Sequence, residues 1–149
     1  MTAVAQHLSP TIVAGLSRSA ADQDILAAAI AQARALQGRL VVIHALPIAH
    51  PAGSLASDRE DHRRHVAADI RRAVEKQFTN GHPDIPCEII VNWGGAATML
   101  LASASNAAML VVGTHDTAHQ APLLLGTVSQ DVAVHSPRPV LLIPVPRAV

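Results

Sequence analysis

The sequence predicts an open α/β fold: one parallel, five-stranded sheet in the spatial order 3-2-1-4-5, Rossmann-like, with two helices on each face. Three observations carry this. Five short apolar runs, at residues 11–17, 40–46, 87–93, 109–113 and 140–145, alternate with four stretches of helical periodicity. The runs are almost continuously apolar, as in Leu40-Val41-Val42-Ile43, which is what strands covered on both faces require. The 149 residues suit one domain spanning 1–149, long enough to bury roughly two thirds of its unfolded surface around one core.

The elements follow in order. After the first run, Ile25, Leu26, Ala29, Ile30, Ala33 and Leu36 recur at helical spacing. Ser19 and Asp22 form a capping box before them, and Gly38 ends the helix. The second run leads into the longest loop, 47–56, which holds two prolines and a glycine. A second helix is expected from Ser57, three residues before Glu60, with Val66, Ile70, Val74 and Phe78 on one face. Asn80-Gly81-His82-Pro83 stops it. Residues 99–108 read as an alanine-rich third helix, and 127–135 as a fourth, ended by Ser136-Pro137-Arg138-Pro139. Right-handed crossovers connect the parallel strands.

Composition excludes several classes. Eleven basic residues balance eleven acidic ones, so no net field attracts a phosphate backbone or an anionic membrane. Phe78 and Trp93 are the sole aromatics among Phe, Tyr and Trp, which removes the stacking platforms of single-strand binders. Neither nucleic acid nor a membrane is therefore an expected partner. No run reaches the 18 or so apolar residues of a membrane span. One cysteine, Cys87, and a start that lacks signal-peptide character point to the cytoplasm, with Cys87 an inert thiol in a strand.

In a doubly wound sheet, ligands sit beyond the carboxyl ends of the strands where the winding reverses, here at the first and fourth strands. Gly113 ends the fourth run, and Gly126-Thr127-Val128-Ser129 opens a helix. Backbone N–H groups of Thr127, Val128 and Ser129 form the positive end of that helix, an anion site in principle. A capping box between Thr127 and Gln130 is the competing reading, because it satisfies the helix end without a ligand.

The spacing of Gly113, Gly126 and Thr127 resembles the signature of the universal stress proteins: glycine, two residues, glycine, nine residues, then glycine with Ser or Thr. The likeness extends to Ile12-Val13-Ala14, Ala33-Arg34-Ala35-Leu36, Leu40-Val41-Val42-Ile43-His44 and residues 135–143. It implies a cytoplasmic stress-response module, regulatory or protective rather than catalytic, with ATP as the candidate ligand. Gly113, Gly126 and Thr127 match its phosphate side, and Ala45 falls where a valine often borders adenine. Two positions depart from it. Asp116 replaces the middle glycine, placing negative charge where backbone would meet phosphate, and Ser17 stands where ATP-binding members carry an aspartate. A degraded nucleotide site is the expectation, and an ATP-responsive module the alternative. The resemblance also implies a homodimer through the last strand, at Val140, Leu141, Leu142, Ile143 and Val145, which would otherwise be an apolar edge. A regulatory protein partner of unspecified identity is implied as well.

Enzyme and metal patterns are missing. Gly-x-Ser-x-Gly, Gly-x-x-x-x-Gly-Lys-[Ser/Thr] and His-Glu-x-x-His do not occur. His115 with His119, and His62 with His65, are read as solvent-facing rather than as metal ligands, with His62 prolonging the Val66–Ile70–Val74 stripe. An ATP-using enzyme would need a catalytic base or a pyrophosphate loop that the sequence lacks.

Overall fold

The computed structural model describes residues 9–48, 55–114 and 126–144. Five strands, β1 (Thr11–Gly15), β2 (Arg39–Leu46), β3 (Cys87–Trp93), β4 (Met109–Gly113) and β5 (Val140–Ile143), form one sheet in the order β3-β2-β1-β4-β5. Every pairing is parallel, with Ile12 opposite Leu40 and Met109, and Val111 opposite Leu141. The expected strand order and the alternation of strand and helix are both present.

Helices α1 (Asp22–Ala35) and α2 (Ala56–Glu75) cover one face, and α3 (Ala96–Ala104) and α4 (Thr127–His135) the other. Alternation of side chains along each strand divides the core accordingly. Ile12, Ala14, Leu40, Val42 and Val111 pack with Ile25, Leu26 and Ile30 of α1 and Val66, Ile70 and Val74 of α2. Val13, Val41, Ile43, Leu110 and Val112 face the other way, toward Leu100 of α3 and Val132 of α4. The three central strands, β2, β1 and β4, are thus apolar on both sides, which is why Ile12-Val13-Ala14, Leu40-Val41-Val42-Ile43 and Leu110-Val111-Val112 run without a polar break.

The helix bounds and caps differ from the sequence expectations in three helices. Ser19 does not cap α1: the cap residue is Ala21, whose N–H donates to Ser19 Oγ, and Asp22 turns back to Ser17. Likewise Ser57 lies inside α2, and Glu60 accepts from Arg63 and Arg64 rather than closing a box. Helix α3 spans a segment displaced toward Ala96, because Gly95 in extended backbone serves as its N-cap and Ala107 and Ala108 already lead into β4. Strand β1 ends at Gly15, so Ser17 lies in the loop that follows.

Gly38 ends the first helix as expected. Helix α1 closes in a Schellman arrangement, Gly38 N donating to Ala33 O and Gln37 N to Arg34 O. The left-handed position is Gln37, at φ 52°, not the glycine. Gly38 is required for a different reason: a Cβ there would stand 2.1 Å from the Pro10 carbonyl oxygen.

The edge strands are weakly covered. All four β5 residues are half-buried, and Val134 of α4 nearby in sequence is 68% exposed. Val145, expected to prolong β5, lies outside the described residues. Cys87 opens β3 and is half-buried, and burial pushes its thiol pKa up, helped by Asp84 and opposed by Arg71. No helix among the described residues is long and apolar enough to cross a membrane.

Candidate nucleotide site

Parallel strands deliver their carboxyl ends to one rim of the sheet, and β1 and β4 are the neighbours whose following helices leave in opposite directions. A cavity of about 660 Å³ opens there, well within the range of small-molecule sites. Ser17, Ala45, Gly113, Gly126, Thr127, Val128 and Ser129 all border it. Asp116 and the histidines 115 and 119 lie outside the described residues.

Its walls are apolar. Ile25 from α1, Ile43 from β2, Leu100 from α3 and Val112 from β4 line it, together with polar groups from the loop after β1 and from the start of α4. Gly126, in extended backbone, is the N-cap, and no side chain caps the helix. The Thr127–Gln130 box is therefore not formed: Gln130 N donates to Gly126 O at 2.9 Å, and Thr127 occupies the first helical position. The N–H groups of Thr127, Val128 and Ser129 precede that first intrahelical bond and present the positive end of the helix to the cavity.

Ser129 has a different task from Thr127. It is the buried polar residue of the described core, 4% exposed, and its Oγ donates to Gly113 O at 2.7 Å. That bond clasps the first turn of α4 to the last residue of β4. Gly113 itself faces α1, where a Cβ would come within 3.0 Å of Ile25 Cδ1.

The loop after β1 supplies the other polar part of the lining. Leu16 N donates to Ile43 O at 2.9 Å, and Arg18 takes a left-handed φ of 59°, so the chain folds back on itself before α1. Ser17 N donates to Asp22 Oδ1 at 3.2 Å, and Ser17 Oγ donates to Ser19 Oγ at 3.1 Å. Burial pushes the Asp22 carboxyl above its ordinary value, opposed by the N–H groups of Ser17, Ser19 and Arg18 and by His44. A carboxyl raised in this way favours folding while protonated, below its unfolded pKa, and that contribution is lost as pH rises through the folded value. His44 Nδ1 donates to Leu16 O at 2.8 Å. Arg18 is held against α2 by Asp69, 3.0 Å away, which also accepts from Arg72.

Sequence reasoning missed Asp22, His44 and Arg18 as parts of this rim. In the sequence Asp22 reads as part of a helix cap, and the signal for its real contact, a carboxylate five residues after Ser17, is too common to stand out. On α2, His62 packs its ring against Trp93 at a centroid distance of 6.0 Å, and His65 Nδ1 donates to Asp61 O at 2.7 Å. Among the described residues no group of three or more His, Cys, Asp or Glu is placed to hold a metal.

The sequence pattern of the universal stress protein family matches residues 9–144. Solved structures agree in fold. The UspA protein of Lactobacillus plantarum superposes with a TM-score of 0.73 at 20% identity, over 91% of this chain and 97% of that one. A universal stress protein of Archaeoglobus fulgidus solved in complex with dAMP gives 0.63 at 19% identity, over 91% and 97%. Another universal stress protein, solved in complex with cAMP, gives 0.63 at 22%, over the same shares. No curated protein sequence matches the chain.

Proposed function

Because the chain belongs to the universal stress protein family, we propose that it is a regulatory or protective stress-response module that acts through protein contacts in the cytoplasm and has no dedicated catalytic chemistry. One observation carries the ligand part of this reading. The described candidate residues from β2, β4, α4 and the loop after β1 border a single cavity, with an uncapped helix start in its lining. Relatives solved with dAMP and cAMP support a nucleotide as the ligand class.

ATP itself is poorly served by this chain. Ser17 replaces a carboxylate and has its N–H engaged by Asp22, and Asp116 adds a negative charge to the phosphate-side sequence. ATP titrated into the purified protein, with carry-over checked by mass spectrometry, is expected to bind weakly. The double change Ser17→Asp with Asp116→Gly should tighten it at least about tenfold, or about 1.4 kcal/mol. Micromolar affinity in the unaltered protein would overturn the degraded-site reading. The alternative, a module whose partner binding responds to ATP, draws on the same uncapped N–H groups of α4.

Homodimerisation through β5 is part of the proposal. Val140, Leu141, Leu142 and Ile143 are each half-buried at a sheet edge, and Val134 and Val128 expose apolar surface on α4. Leu142→Arg should convert a dimer to a folded monomer in light scattering at micromolar concentration. A wild-type monomer, or a dimer indifferent to this change, would count against it.

A further inference from the structure

We infer that the cavity selects for low charge: it takes a nucleoside bearing at most one negative charge, uncharged or with a single phosphodiester, in preference to a triphosphate. This rests on the nucleotide reading above and concerns which member of that class the site accepts. The observation is the chemistry of the lining. Every described residue bordering the cavity is uncharged, from Ile25, Ile43 and Leu100 on the walls to Ser17, Ser19 and Thr127 at the rim.

Among the described residues lining this space, an anion meets backbone N–H groups and hydroxyls and no ammonium or guanidinium. The helix start supplies the equivalent of about half a unit of positive charge, enough to favour one negative charge and insufficient for the four or so of metal-free ATP. The nearest cation in the rim loop is turned away, since Arg18 is paired with Asp69 on α2 at 3.0 Å. The fixed charge beside that rim is the Asp22 carboxylate, held to Ser17 N at 3.2 Å, which opposes any further anion.

The remaining sequence does not supply the missing charge near the phosphate end. Between Gly113 and Ser129 the single charged residue is Asp116, and of all residues outside the described ones only Arg147 is a Lys or Arg. Apolar walls and two polar parts of the lining suit a base with a sugar and one diester, where most of the binding comes from burial and little from ion pairing.

Calorimetry with the full chain distinguishes the cases, using adenosine, cyclic AMP, AMP and ATP as probes, with and without magnesium. Cyclic AMP is expected to bind at least tenfold more tightly than metal-free ATP, with AMP between them and adenosine within about tenfold of cyclic AMP. Magnesium should narrow the gap for ATP by neutralising part of its charge. ATP binding as tightly as cyclic AMP without magnesium would overturn the selectivity while leaving the nucleotide reading intact. Binding of none of the four would overturn both.

Discussion

Replacing Gly38 with alanine is expected to lower the free energy of unfolding by about 2–3 kcal/mol, the upper part of the range for forcing atoms into a filled interior. The clash is with backbone. An alanine Cβ would sit 2.1 Å from Pro10 O and 3.0 Å from its carbonyl carbon, and neither is the end of a flexible side chain. Pro10 O cannot retreat without loss, because it accepts from Arg39 N at 2.8 Å immediately before Thr11 and Arg39 begin the β1–β2 register. Gly38 cannot retreat either, since its N–H closes α1 on Ala33 O. Urea unfolding followed by far-ultraviolet circular dichroism measures the difference, and an unchanged midpoint would mean that the α1–β2 connection yields more easily than this geometry allows.

Thr127→Glu is expected to separate stability from binding. A carboxylate at the first position of α4 suits the positive end of the helix and should leave stability unchanged or raise it by about 0.3–1 kcal/mol. The same carboxylate opposes a bound anion. At about 5 Å and an effective dielectric of about 20, the repulsion is about 3 kcal/mol, on the order of a hundredfold in affinity for cyclic AMP. Adenosine, which has no charge, should lose much less. Calorimetry paired with thermal melts reads both quantities on one preparation. Loss of cyclic AMP and adenosine to the same extent would place the anion elsewhere or show that the substitution blocks the cavity by bulk.

Part of this arrangement was legible from sequence. Strand identity was, because burial on both faces demands uninterrupted apolar runs, and Leu40-Val41-Val42-Ile43 has no other comfortable fate. The convergence of Ser17, Ala45, Gly113 and Thr127 followed from strand order, since parallel strands bring their carboxyl ends to one rim. Caps were illegible for a physical reason. Ser, Thr and Asp have several backbone partners within reach, and tertiary contacts decide among them. Asp22 chose Ser17 N, Ser129 chose Gly113 O, and Thr127 left the helix start open. The start of α3 was missed because alanine-rich sequence has little phase, and the Gly94–Gly95 pair that sets it reads equally well as loop. Gly38 reads as a helix end and stands there, while its neighbour Gln37 carries the left-handed turn.

The Ser129–Gly113 bond has a consequence for how this protein tolerates change in chain length. The clasp joins β4 directly to α4, so the helix start has an anchor outside the sequence between Thr114 and Gly126. Doubling the length of a flexible connection costs only about 0.6 kcal/mol in closure entropy. Insertions or deletions in that interval are therefore expected to leave the anion-facing end of the cavity in position, which makes the interval a suitable place to graft a reporter peptide.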